Sequence, residues 1–143
     1  MDVVQMKTVG DHIKGYTTSL RSSGLTDKDK QQIKKDQEVL KQNINDNNQL
    51  ETILEADTSR RADIVQAKND IPVLNKVYNV TDLLLTAFLD ADDLKSLRMK
   101  VIQETDKTKK NELRKELQQK SENLMADYRQ LKKDMMGIAG GSA

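Results

Sequence analysis

From Leu25 to Met136 the chain contains no glycine and a single proline, Pro72. Over that stretch apolar residues recur at alternating steps of three and four, the period of one helix face. A long run without breakers and with that period predicts long helices. The β-branched run from Val77 to Thr81 also suits a strand, but no second strand is available to pair with it.

The composition says how such helices must assemble. Charged residues are 33%, hydrophobic residues 36% and aromatics 3% of the 143 residues. That is enough apolar material to fold, yet little core per residue, which suits a thin, elongated structure better than a sphere. There is no cysteine, which excludes disulfide scaffolds, cysteine-ligated metals and cysteine nucleophiles. The start MDVVQMKTVGDHIKG lacks the apolar run of a signal peptide. The longest mostly apolar stretch, Leu83 to Leu89, is far short of the ~20 residues that span a bilayer. The expected location is intracellular, cytoplasmic or within a virion-like assembly.

Along the chain, Val9, Ile13, Tyr16 and Leu20 form one face of a first helix. Gly24 can take the left-handed conformation that ends it, with Leu25 folding back as an apolar contact. Thr26 then caps the next helix, with Asp27 and Asp29 in its first turn, where the dipole favours acid. A four–three spacing puts Ile33, Leu40, Ile44, Leu54 and Val65 on one stripe that predicts a helix to Asn69. Gln37, Asn47, Glu51, Thr58, Arg61 and Lys68 share that stripe, so the seam is leaky. The asparagines at 43, 45, 47 and 48 support a competing reading, a break near residue 46. Pro72 is placed in the first turn of a third helix, and Asp90-Ala91-Asp92-Asp93 caps a fourth. Leu74, Val77, Leu84, Leu85 and Phe88 are expected to form the best-buried cluster, packed on Leu113, Leu117, Leu124 and Leu131 or on a partner's equivalent. The fourth helix carries the stripe Leu113, Leu117, Leu124, Tyr128, Leu131 and Met135. The polar stretch from Gln103 to Glu112 is read as a solvated part of it, with a loop near residue 107 as the alternative.

These elements predict an all-α fold, an elongated helical bundle or coiled-coil hairpin of about four helices, two of them long. One domain is expected over residues 1–136, with helices near 3–22, 27–69, 72–89 and 91–136. A Gly-rich, flexible tail is expected at 137–143.

Few residues suggest chemistry. His12 is the only histidine, and as a base it needs a nucleophile and a group to orient it. Asp90, Asp92 and Asp93 suit a divalent cation, but carboxylates at a helix start are favourable without one. No phosphate loop, zinc or EF-hand spacing occurs, so no catalytic residue, metal or cofactor is assigned. From Leu94 to Met136 the chain carries 12 basic and 7 acidic residues. Lys107, Lys109, Lys110, Arg114, Lys115 and Lys120 are the candidates for phosphate contact with nucleic acid. Interleaved Glu112, Glu116 and Glu122 make a solvated helix face the plainer reading.

The expected function is therefore non-enzymatic: a helical, coiled-coil subunit of a larger multi-subunit complex, of which a minor virion or capsid component is one instance. Its partners would be other protein subunits, in a homo- or hetero-oligomer. Leu40, Ile44, Leu54, Arg61, Val65, Leu124, Tyr128 and Leu131 are the candidate interface residues. The alternatives are a nucleic-acid-binding or packaging accessory protein using helix 94–136, and an adaptor that binds partner helices.

Overall fold

The computed structural model describes residues 3–141. It is all-α, with four helices: α1 (Val3–Arg21), α2 (Asp27–Glu55), α3 (Ala62–Gln103) and α4 (Lys107–Gly141). Among the described residues there is no strand. The long helices are α3, with 42 residues, and α4, with 35; at 1.5 Å per residue α3 is roughly 63 Å long.

The corner between α1 and α2 forms as the sequence predicts. Gly24 has φ 101°, which a glycine adopts without steric cost. Its N–H donates to the Ser19 carbonyl at 2.8 Å, closing the end of α1. Leu25 is buried in the core. The Thr26 hydroxyl accepts the Asp29 N–H at 3.0 Å, and the Asp29 carboxylate accepts the Thr26 N–H at 3.0 Å. This reciprocal box satisfies two of the donors that a helix start leaves free, and it holds the Asp29 carboxyl below its ordinary pKa.

The remaining boundaries differ from expectation. The helix expected over 27–69 ends at Glu55, not near residue 46 and not at Asn69. At the turn, Asp57 accepts the Ser59 N–H at 2.8 Å, an Asx turn that needs neither glycine nor proline. Pro72 does not open a helix but lies inside α3. It is exposed, so the donor it lacks falls where water can serve the carbonyl one turn back. The neighbouring Ile71 is buried and helps to offset a cost of about 3 kcal/mol for an interior proline. Asp90 to Asp93 start no helix either, because α3 continues to Gln103. The break comes at 104–106, where Glu104 accepts the N–H groups of Thr105 and Asp106 at 3.1 and 3.0 Å. The chain expected as a flexible tail continues α4 through Gly141; the part of that expectation on Ser142 and Ala143 lies outside the described residues.

α3 is the central element. One face, Ile71, Asn75, Tyr78, Asp82, Leu85, Leu89 and Asp92, follows the four–three spacing and meets α2 and α1. Another, Leu83, Ala87, Asp90, Leu94, Leu97 and Val101, follows the same spacing toward α4, which packs chiefly on α3. The core is Tyr16, Leu25, Ile33, Leu40, Tyr78 and Leu85, with Met6, Ile13, Leu20, Ile44, Phe88 and Leu89 packed around it. This corrects the expected cluster. Leu85 is fully buried, whereas Leu74 is exposed and Val77, Leu84 and Phe88 are half-buried. The expected third helix does supply the core, through Tyr78 and Leu85, but it packs there on α1 and α2 and not on the leucines of α4. Phe88 meets the Tyr16 ring edge-on at 6.0 Å.

Two substitutions test this packing in urea denaturation. Leu85→Ala should cost about 2–5 kcal/mol, and Phe88→Ala less than the roughly 3–5 kcal/mol of an enclosed ring. In Gly24→Ala, a Cβ would sit 2.9 Å from the Asp92 carboxylate on a positive φ. We expect a loss of about 2 kcal/mol with an unchanged m-value.

Candidate functional site

Three buried polar contacts fix how the helices sit. Asp36 on α2 is buried. It contacts His12 Nδ1 through both oxygens at 3.0 and 3.1 Å, and accepts the Tyr16 hydroxyl at 2.7 Å and Gln32 Nε2 at 3.1 Å. Burial first, then the bond to Asp36, pushes the Tyr16 phenol well above its ordinary pKa. Asp36, 24 residues away in sequence, is the group that orients His12. The adjoining pocket is lined by Asp11, Gly15, Lys28, Asp29 and Gln32, and the arrangement ties α1 to α2.

Asp92 makes the second contact. It accepts the Leu25 N–H at 2.7 Å and lies 3.1 Å from Lys30 Nζ, which holds the Lys30 ammonium above its ordinary pKa. Lys95 adds bonds to the carbonyls of Leu20 and Ser22 at 3.1 and 2.9 Å. The α1–α2 corner is thereby fastened to α3. The three aspartates read as one cluster in fact diverge: Asp92 to this corner, Asp93 to Lys120 at 3.7 Å and Asp90 to Asp127. Among the described residues no group of three or more metal-ligating side chains converges. The third contact joins α2 to α3 through Asn47, Asn48 and Asn75, at 3.0 and 3.2 Å.

α4 is built differently. Among its described side chains none is buried. Its half-buried residues are Lys110, Leu113, Leu117, Lys120, Leu124, Asp127, Leu131, Asp134 and Ile138, in unbroken three–four spacing, together with Ser121. This is the seam toward α3. The expected stripe shared Leu113, Leu117, Leu124 and Leu131 with it but put Tyr128 and Met135 where Asp127 and Asp134 stand. Tyr128 is 60% exposed, and Met125, Met135 and Met136 are exposed beside it. Tyr128, Leu131, Lys132, Met135 and Met136 line an open groove. Leu94 and Arg98 of α3 and Arg114, Leu117, Gln118 and Ser121 of α4 line another.

The other candidate residues are dispersed. Leu40 is wholly enclosed, Leu54 is buried and Ile44 packs on the core, all within this chain. Arg61 stands at the N-cap of α3, paired with Asp63 at 2.8 Å, and Val65 is exposed. Lys107, Lys109, Arg114 and Lys115 are exposed and Lys110 and Lys120 half-buried on the first half of α4. No described helix is long and apolar enough to cross a membrane. No known protein family, curated protein or solved structure matches the chain.

Within the α4 seam, Asp90 lies beside Asp127, whose buried Oδ2 has no other donor within reach among the described residues, so the two carboxyls bond only by sharing a proton. Burial, then the bond to Asp127, raises the Asp90 carboxyl from 3.8 to about 6. The folded state therefore holds a proton that the unfolded state releases near pH 4. The stability this proton gives is complete below about pH 4 and is lost as pH rises through 6. Asp90→Asn keeps a donor toward Asp127 without a second charge. It should gain about 1 kcal/mol at pH 7.5 and flatten the slope of melting temperature between pH 4 and 6.5.

Proposed function

We propose that this chain is a non-enzymatic assembly subunit that works by docking other protein through the exposed face of α4. The observation that carries this reading is that α4 has two adjoining apolar stripes and one principal neighbour. Leu113, Leu117, Leu124 and Leu131 lie against α3, while Tyr128 and Met135, with Met125 and Met136, face outward. An apolar face of this kind, bordered by Arg129 and Lys132, has the character of an interaction surface. Tyrosine, methionine and arginine are the residues that protein interfaces favour over lysine- and glutamate-rich surface. Methionine also adapts to a partner's shape at little cost. A partner helix laid along the stripe would supply the second neighbour that a bundle helix ordinarily has.

The substitutions Tyr128→Asp and Met135→Asp test this. Both side chains are exposed, so stability should change by no more than about 0.5 kcal/mol. Association should fall, read by sedimentation velocity of the purified protein and by recovery of bound proteins from the native source. If the folded variants retain every association of the parent chain, the proposal is wrong.

A further inference from the structure

Three further exposed apolar residues lie close together around the end of α2. Leu50 and Ile53 lie three apart on the last turns of α2, 44% and 68% exposed, and Val65 is exposed across the 56–61 turn. Between Lys41 and Arg60 there are four acidic residues, Asp46, Glu51, Glu55 and Asp57, and no basic one. Asp46 and Glu55 are exposed. Asp46 lies four residues before Leu50, on the same helix face. Of the two arginines that follow, Arg61 is already paired with Asp63. The face of α4 has the reverse pattern. From Met125 to Met136 its two acids, Asp127 and Asp134, are half-buried on the seam, while Arg129, Lys132 and Lys133 are exposed. The charge that this stretch offers to solvent is thus basic, around Met125, Tyr128, Met135 and Met136.

The two patches match in chemistry, apolar centre against apolar centre and acid rim against basic rim. Within one chain they belong to different seams of α3, since the end of α2 is held by the Asn47–Asn75 contact and α4 lies toward Asp90 and Asp93. We infer that the partner on α4 is a second copy of this chain, which seats the acidic end of its α2 on the basic-rimmed apolar face. This rests on the reading of α4 as a docking face and names its occupant. Because the two surfaces differ, the contact either pairs two copies that exchange both contacts or runs head to tail.

Two charge-reversed proteins test it. One carries Asp46→Lys and Glu55→Lys; the other carries Arg129→Glu and Lys132→Glu. The Asp46 carboxylate accepts only from Gln42 within the described contacts, and all four side chains are exposed, so helicity by circular dichroism should be unchanged. The parent chain should self-associate with rising concentration and less so at high salt. Each variant alone, with like charges on both patches, should associate at least about tenfold more weakly. An equimolar mixture of the two should regain association, because each then meets an opposite charge on the other. Either a closed dimer or a longer series of masses supports the inference. It is overturned if the parent stays monomeric at every concentration, if both variants associate as the parent does, or if the mixture stays dissociated. If the parent is monomeric yet Tyr128→Asp still loses a captured partner, the second copy is excluded and the docking face stands.

Discussion

The whole arrangement depends on α3 being one uninterrupted helix with two seams. α2 and α1 lie against one of its faces and α4 against another, so a break in α3 would uncouple α4 from the core. The sequence contains two features that ordinarily make such a break, Pro72 and the aspartates at 90, 92 and 93. Each is accommodated by a tertiary contact. The buried Ile71 and the Asn75 bridge hold the segment around the proline. Asp92 has its partners in the α1–α2 corner and leaves the helix backbone undisturbed. Local preference would end α3 at either place; packing along more than 40 residues outweighs it.

The polar residues on the seams set register. An apolar stripe of leucines tolerates a slide of one turn; a buried carboxylate or amide with a single matching partner does not. Asp36 accepts from three side chains, Asp92 accepts from a backbone N–H and a lysine, and Asn47 donates to the Asn75 amide oxygen. Sliding α2 along α3 by one turn would leave Asp92 and Asn47 without their partners, at a cost of about 1–3 kcal/mol each. The α4 seam is held differently. The polar contacts that tie it to α3 are the Asp90–Asp127 carboxyl pair and a 3.7 Å ion pair to a half-exposed lysine. The attachment of α4 consequently depends on pH through Asp90.

Much of this was legible in the chain. The spacing of apolar residues gave helices and the Gly24–Thr26 corner, because both depend on neighbours in sequence. The turn at 56–61 was hidden, and that at 104–106 was legible only as the alternative of a loop near residue 107. They are made by Asp57 and Glu104 accepting nearby N–H groups, and such residues also occur on ordinary helix surfaces. The Asp57-Thr58-Ser59 run was the available signal. His12 with Asp36 was invisible for a different reason: the two are brought together by the corner, and nothing in their separation announces it. The core was displaced because Tyr78, not Phe88, occupies the centre of the α2-facing seam, and a tyrosine reads as less buried than its neighbours.

The most informative discrepancy lies on α4. Reading by apolarity alone chose Tyr128 and Met135 for the seam, since the true seam positions hold Asp127 and Asp134. A helix that packed only on α3 would gain by exchanging these pairs, placing the tyrosine and methionine inside and the aspartates in water. Such an exchange removes two carboxyl groups, one of them the poorly satisfied Asp127, from a half-buried seam and two large apolar groups from solvent, and both changes favour the isolated chain. The observed order is the one the proposed docking would use: against a second neighbour the outward stripe would become an inner one, and the aspartates would leave the first seam loose enough for α4 to adjust.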